Sequence, residues 1–582
     1  MNRNTKSATI IGIFLLFVFF FSIFLFVVLK IIVQDRHLPA LFVTDKNRAI
    51  RGSIISSDGY QVAFSNKLYK VAVDTRSIDP AKKEIFIKLF SIYSGIEAKK
   101  IRKALRKKGY TVISYNIDTK TAYQLKILAR KFYQMDFFVP FKVGNRVYKR
   151  GMEIVESGET RVYPYKDALT PVVGYVKKVD GRYTSIKGAK GIEKFYERSI
   201  SPKQDGIIRG RRDIGNNIIL NKEAFIKKRI DGYNVHLNVN MLLQKSLEHI
   251  LDIHRLDQDA DEIIAAVMES KTGKIIAIAS TSRYDPKNIR QRDISSLNAK
   301  FVEYIFEPGS VMKPITFALL LEKKMVNPYE VINGHNGRFK IGRKTITDEH
   351  KFDWLSAENV IIYSSNIGIA QLAQRLTPVD FYKGLKNFGF GRPSGVDLPR
   401  DLPGTLIPVV KFRSQIYKAT VAYGYGIRTT FMQLLKAYNV FNNEGIEVQP
   451  RIADFLSTAE GKKLYLNPPK KRRIISVATA ATMKNILQKV VEKGTGTVAK
   501  IEGLIIGGKT GTAQIATRGG YGHNYNSSFF GFANDAKHRY TIGVTVIRPK
   551  TKHFASQTAV PVFRDIVIEL INEGYLQPEA SE

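Results

Sequence analysis

Glu307-Pro308-Gly309-Ser310-Val311-Met312-Lys313-Pro314 is the stretch on which the reading of this chain turns. Glu-Pro-Gly interrupts regular structure, and Val311 to Leu321 is an apolar run without Gly, expected to be a helix. Ser310 is therefore expected at a helix N-terminus, where unpaired backbone N–H groups and the helix dipole favour developing negative charge. Pro314 falls in the first turn, where its missing N–H costs little. Lys313 lies three residues on, which places it on the same helix face as Ser310. A serine hydroxyl is a poor nucleophile until a base takes its proton. A lysine serves as that base once burial and a second cation lower its pKa. Taken alone, a serine at this place is most often a plain helix cap.

Two later stretches change that balance. Ser364-Ser365-Asn366 follows Val360-Ile361-Ile362-Tyr363 and precedes an apolar helix expected over 367–376. The Ser364 hydroxyl and the Asn366 amide, set beside the nucleophile, would relay a proton and hold a substrate carbonyl; the competing reading is helix capping. Lys509-Thr510-Gly511-Thr512 follows Leu504-Ile505-Ile506-Gly507-Gly508 and precedes Ala513-Gln514-Ile515. It reads as a sheet-edge strand lining a cleft, where small residues such as Gly511 let a bound peptide approach the backbone. Lys509 is the candidate second cation. With the hydroxyls of Thr510 and Thr512 it would also hold a terminal carboxylate. The backbone N–H groups of Ser310 and Thr512 would form an oxyanion hole. The order S-x-x-K, S-x-N, K-T-G is similar to the active-site set of serine acyl-transfer enzymes that bind penicillins.

Bulk properties bound the rest. At 582 residues the chain is too long for one core, and two or three domains are expected. Lys+Arg 91 against Asp+Glu 52 gives a formal net charge of +39, which calls for an anionic partner: nucleic acid, a membrane face, or an acidic polymer such as cell-wall peptidoglycan. The absence of Cys excludes thiol chemistry, disulfides and Cys-ligated metals. The nine His show no metal-ligand spacing, so no metal site is expected. From Ser7 to Leu29 there is no charged residue, enough apolar helix to span a bilayer. Arg3 and Lys6 precede it and Lys30 follows. No small-x-small cleavage site follows, so an uncleaved anchor is expected rather than a signal peptide.

Along the chain, Arg51 to Ile55 reads as a strand entering a tight turn at Asp58-Gly59, and Glu97 to Lys108 as a basic helix with a thin Ile101/Leu105 stripe. Gly188 to Tyr196 enters a helix, Asn234 to Val239 alternates like a strand, and Met241 to Leu251 has helical spacing. Ile263 to Ala279 holds two strands around Lys271-Thr272-Gly273-Lys274. Lys470-Lys471-Arg472-Arg473 reads as a surface turn, His523 as exposed, Gly494-Thr495-Gly496 as lacking the Lys-Ser/Thr of a phosphate loop, and the tail after Tyr575 as frayed.

With these residues in place, the chain resembles the class B penicillin-binding proteins, bacterial peptidoglycan D,D-transpeptidases. Arg51-Gly52-Ser53-Ile54 resembles the family's R-G-x-I element. Arg161-Val162-Tyr163-Pro164 and Gly174-Tyr175-Val176 resemble its next blocks, and Gly191-Ile192-Glu193 with Tyr196 its G-I-E-x-x-Y element. Ser364 to Gly368, Tyr423-Gly424-Tyr425-Gly426, Gly494-Thr495-Gly496 and Ser528 to Phe532 resemble the septal, FtsI-type branch. Two places depart from the pattern. Asn238-Val239-Asn240 stands where Thr-Ile-Asp is usual, and Ser56-Ser57-Asp58-Gly59 where Asp-Arg-Asn-Gly is usual.

The resemblance implies an α/β (α+β) architecture, the penicillin-binding serine transpeptidase fold, with a β-lactamase-like sheet flanked by helices. An elongated mixed pedestal domain and one N-terminal transmembrane helix would precede it. The implied division is 1–6 cytoplasmic tail, 7–33 anchor, 34–230 pedestal, 231–572 transpeptidase domain and 573–582 tail. It also implies catalytic roles for Ser310, Lys313, Ser364, Asn366 and Lys509, substrate contacts from Thr510, Gly511 and Thr512, and no cofactor. The implied ligands are stem peptides ending in D-Ala-D-Ala and β-lactam antibiotics. A separate glycan polymerase and divisome proteins would be partners, and nucleic acid would not. The implied location is the bacterial inner membrane, single-pass, with the catalytic domain periplasmic. Other readings stay open: an elongation-type transpeptidase, a D,D-carboxypeptidase or β-lactamase-like hydrolase, and a catalytically silent division scaffold.

Overall fold

Phe529 and Phe530 are neighbours in sequence and belong to two different cores. Successive side chains on a strand leave opposite faces, so a sheet buried on both sides needs apolar residues at every position rather than every second one. Ile263, Ala265 and Val267 join the first core, while Ile264, Ala266 and Met268 join the second. That continuous apolar texture marks the central sheet of the C-terminal half.

The structure is a computed structural model that describes residues 3–33, 41–144, 146–179, 183–213, 218–517 and 520–579. By its internal contacts the chain divides into two compact units, Met1–Ala49 with Gln204–Ile230, and Ile50–Lys203 with Asp231–Glu582.

The first unit holds the helix Arg3–Val33. Its stretch Ser7–Val33 is long and apolar enough to cross a membrane, and none of that stretch is buried by protein. Phe14, Phe20 and Phe26 all stand more than half exposed. A helix apolar on every side with nothing packed on it is suited to hydrocarbon. The same unit has a three-stranded antiparallel sheet, with Gly206–Arg211 between Phe42–Asn47 and Phe225–Lys227.

In the second unit, the 14-residue strand Gln61–Asp74 pairs with both Tyr110–Ile117 and Met152–Val162. Phe86, Phe90, Phe132 and Phe138 pack a small core against this part. The sheet continues through Ile54–Ile55 to Asn234–Leu237, Ala453–Ser457 and Lys463–Tyr465. A second, five-stranded antiparallel sheet has the order Ile275–Ser280, Glu262–Glu269, Arg539–Ile547, Gly520–Asn534, Ile505–Thr517. Helices Met241–Asp257 and Ala559–Asn572 supply the core on one face. Helices Lys313–Glu322, Phe431–Asn442 and Val477–Lys493 contribute to the core on the other. This is the α/β arrangement that the resemblance implied.

Several local expectations need correction. Lys470 to Arg473 is not a turn: Lys471–Arg473 is a strand paired with Ile446–Val448, because strand pairing satisfies its backbone while the charged side chains stay exposed. The tail over residues 576–579 is held, not frayed; its last three residues lie outside the described ones. Gln577 N–H donates to Asp535 Oδ2 at 2.9 Å, Glu579 N–H donates to the Gly503 carbonyl at 2.9 Å, and Leu576 is buried. The basic helix closes at Ala104 rather than Lys108. The strand expected over Arg51 to Ile55 is confined to Ile54–Ile55, because the backbone N–H groups of Arg51 and Gly52 donate to the Glu159 carboxylate at 3.1 Å and the Ile200 carbonyl at 2.9 Å rather than to a strand partner.

The two departures from the family pattern meet each other. Ser57 N–H donates to the Val239 carbonyl at 2.9 Å, and the Asp58 carboxylate accepts from Met241 N–H at 3.0 Å. Asn240 caps the same helix through Leu243 N–H at 3.0 Å. The unusual residues thus share one helix N-terminus, where their acceptors satisfy free donors.

Candidate active site

Gly309 sets the position of Ser310. Its φ is +60°, and its N–H donates to the Gly424 carbonyl at 3.0 Å. Gly424 has φ +93°, and a Cβ there would stand 1.9 Å from the Gly309 carbonyl oxygen. Two backbones touch at this place, so only glycine fits. Ser310 lies on the 3-10 turn Gly309–Met312, and the α-helix proper begins one turn later, at Lys313. The side chain of Ser310 caps neither element. From beneath, the buried Tyr438 hydroxyl donates to the Val311 carbonyl at 2.7 Å and ties the turn to the helix Phe431–Asn442. Nothing in the local sequence around Tyr438 signals that contact.

Lys313 is fully buried. Its Nζ donates to the Ser364 carbonyl at 2.5 Å and to Ser364 Oγ at 3.1 Å. Burial pushes its pKa down to about 7, and the carboxylates of Asp348 and Glu349 act against that fall. A substantial share of Lys313 is therefore free amine near neutral pH, as a base for a serine proton must be. Lys509 is also fully buried, on the edge strand Ile505–Thr517. Its desolvation, with the charge of Lys313 second, holds it well below the ordinary lysine range, while Glu349 opposes the shift. Lys509 Nζ donates to the carbonyl and to Oγ1 of Thr510, each at 3.2 Å.

Ser364 holds φ +62°, and Ser365, not Ser364 or Asn366, caps the helix Asn366–Ala373, accepting from Gly368 N–H at 2.9 Å. The Asn366 amide donates to the Thr347 carbonyl at 3.0 Å. Gly511 brings the edge strand against the Ser310 turn: a Cβ there would lie 2.8 Å from Val311 Cγ1 and 3.2 Å from Val311 N. Thr512 Oγ1 accepts from Ala555 N–H at 3.1 Å.

One cavity gathers Ser310, Ser364, Asn366, Thr510 and Thr512 on its wall, with Lys313 and Lys509 buried behind it. Four lining elements were not read from the sequence as site residues. They are Asp348-Glu349-His350, the aromatic pair Phe352 and Tyr363, Thr495, and Phe554-Ala555-Ser556. Thr495 Oγ1 lies 2.7 Å from Thr510 Oγ1, so the Gly494-Thr495-Gly496 segment serves the cleft rather than a phosphate. The flanking glycines were the available signal. The arrangement offers a hydroxyl on a helix-entry turn, a buried amine of lowered pKa bonded to a second hydroxyl, and an edge strand to lay a peptide along. That is chemistry for serine acyl transfer.

The model of the penicillin binding protein transpeptidase domain matches residues 263–567, more than half of the chain. The chain belongs to the penicillin-binding protein transpeptidase family. The penicillin-binding protein dimerisation domain matches residues 46–237. Among curated proteins, the chain is 27% identical to penicillin-binding protein PbpB of Mycolicibacterium smegmatis, over 91% of this chain and 84% of that one. It is 25% identical to the peptidoglycan D,D-transpeptidase FtsI of Buchnera aphidicola, over 91% and 88%. Among solved structures, penicillin-binding protein 2X of Streptococcus thermophilus superposes with a TM-score of 0.75 at 21% identity, over 93% of this chain and 83% of that one. As a class B penicillin-binding protein with both domains, the chain is a peptidoglycan D,D-transpeptidase. It takes stem peptides as substrates and binds β-lactams.

Proposed function

We propose that Ser310 is the nucleophile of this transpeptidase and that the protein cross-links the septal wall. Ser310 Oγ attacks the carbonyl between the two terminal D-Ala residues of one stem peptide, and Lys313 takes its proton. The N–H groups of Ser310 and Thr512 hold the oxyanion. As the C–N bond breaks, Ser364 with Lys509 returns a proton to the leaving D-Ala amine, and Lys509, Thr510 and Thr512 hold its carboxylate across the thin strand at Gly511. Asn366 orients the donor peptide. An amine of a second stem peptide then attacks the ester and frees Ser310. The observation that carries this reading is Lys313, fully buried, lowered toward neutrality and bonded to Ser364 behind the cavity that Ser310 lines. Ser310→Ala is expected to abolish covalent labelling by a fluorescent penicillin, with the fold intact by circular dichroism. A labelled Ser310→Ala protein overturns the assignment.

The septal role is supported by the likeness to FtsI. A fluorescent fusion is expected at midcell, and side-wall localisation would favour an elongation role. Slow decay of the penicilloyl adduct is expected of a transpeptidase, and rapid turnover would mark a hydrolase. Restored growth of depleted cells by a Ser310→Ala copy would instead mark a scaffold. The helix Arg3–Val33 is read as a single-pass anchor with residues 1–6 cytoplasmic, 7–33 in the bilayer, a pedestal at 34–230, the catalytic domain at 231–572 in the periplasm and a tail at 573–582. External protease in spheroplasts is expected to digest the catalytic domain. A separate glycan polymerase and divisome proteins are the expected partners.

A further inference from the structure

Asp348 follows the hairpin Arg338–Ile341/Lys344–Thr347 and lines the same cavity as Ser310. Its carboxylate accepts three hydrogen bonds, all from the consecutive residues Ser365, Asn366 and Ile367. Ser365 Oγ donates to Oδ2 at 2.5 Å, Asn366 N–H to Oδ1 at 2.5 Å, and Ile367 N–H to Oδ1 at 3.1 Å. Two of these donors are free N–H groups at the start of the helix Asn366–Ala373, where a carboxylate binds strongly. The next residue back, Ser364, has φ +62°. A non-glycine residue in the left-handed region persists when its surroundings hold it there. That backbone turn is what presents both the carbonyl and the hydroxyl of Ser364 to the Lys313 amine.

We infer that Asp348 is a positioning residue for acylation, clamping Ser364 to Asn366 so that both Ser364 oxygens meet Lys313. A helix cap of the ordinary kind contributes stability and nothing more. Asp348 differs because it stands on the cavity wall and its charge reaches Lys313. The charged and titratable groups around Lys313 are Asp348 and Glu349 on this loop, Lys509 on the edge strand, and His350 on the cavity wall. Removing the Asp348 charge therefore lets Lys313 lose its proton at lower pH, an effect that lost capping alone does not produce. The inference rests on the proposed roles of Ser310 and Lys313.

The test measures the acylation rate of the full-length protein in detergent by a fluorescent penicillin, from pH 5.5 to 9. Asp348→Asn is expected to slow acylation on the order of 10–100-fold, the cost of misplacing a catalytic group, and to move the acid limb of the rate profile to lower pH. Asp348→Glu keeps the charge but lengthens the side chain. It is expected to slow acylation with the limb unmoved, and it carries the test if Asp348→Asn fails to fold. Wild-type rates in both Asp348 variants overturn the inference, as does an Asp348→Asn protein that is slow with an unmoved limb. Labelling of Ser310→Ala would sink the assignment of the nucleophile instead, and the two failures are read separately.

Discussion

Lys313 is an amine kept in an apolar interior, and its energetics follow from that placement. Burial brings its pKa down to about 7 from the ordinary lysine value of 10.5. Between those two pH values the unfolded chain binds the proton and the folded one sheds it, so this group makes stability rise with pH across the window. At pH 7 and below it costs stability. Lys313→Met, close in length and apolar, is therefore expected to stabilise the protein at pH 7, on the order of 4 kcal/mol at about 1.4 kcal/mol per unit. The gain shrinks as pH approaches 10.5, and acylation is lost. Thermal unfolding at several pH values checks this. A destabilised Lys313→Met protein would show that the amine is held in its charged form. The spacing of Lys313 from Ser310, three residues along one helix face, was legible in the sequence. Its bond to Ser364 was not, because the two residues are 51 apart in the chain.

At the scale of elements, the site is the seam between an edge strand and a 3-10 turn. The thinness of that seam resides in Gly511, whose missing side chain lets the strand touch Val311. Gly511→Val is expected to hold the strand away from the turn and slow penicillin acylation by on the order of 100-fold, with a much smaller effect on the melting temperature. Stopped-flow acylation kinetics measure the first and calorimetry the second; near-wild-type rates would show that the seam tolerates a side chain. The edge strand itself was readable from Leu504 to Ile515, since its small residues and apolar lead-in announce a strand that something approaches. The turn was read one step wrong. An apolar run after Pro-Gly predicts a helix but does not say that its first turn is 3-10, and the distinction rests on Tyr438, 127 residues away, pulling on the Val311 carbonyl.

For the whole molecule, the buried ion cluster behind the R-G-x-I element is the clearest point of leverage. Glu193 is buried, which raises its pKa, yet Arg161 and Arg51 outweigh the burial and hold it below the usual carboxylate range. Arg161 Nε stands 2.6 Å from Glu193 Oε1, Arg51 Nη2 stands 2.7 Å from Oε2, and Arg51 also reaches Glu197 at 2.9 Å. A lowered carboxyl contributes stability that is present above its unfolded pKa and is lost as pH falls through the folded one. Glu193→Gln removes the carboxylate that two buried guanidiniums share, leaving Arg51 only its Glu197 pair, and is expected to cost about 3–5 kcal/mol. Denaturant titration measures that cost. The difference from wild type should narrow in acid, and a variant as stable as wild type at pH 7 would mean the cluster contributes only specificity.

The sequence by itself determined the parts whose reasons are local. An apolar run without a charge from Ser7 to Leu29 is long enough as a helix to span a bilayer, Ile263 to Ala279 reads as two strands around a turn, and three short motifs carry the proposed nucleophile, base and cation. Tertiary structure alone decided which groups meet. It turned Asp348 onto the Ser365 hydroxyl, set Thr495 against Thr510, and placed the two departures from the family pattern at one helix end. It also tied down the tail through Asp535 and Gly503. Periodicity and turn chemistry act over a few residues and leave their mark on the sequence. Contacts made across tens or hundreds of residues depend on how the sheets and helices pack, and packing leaves no periodic trace.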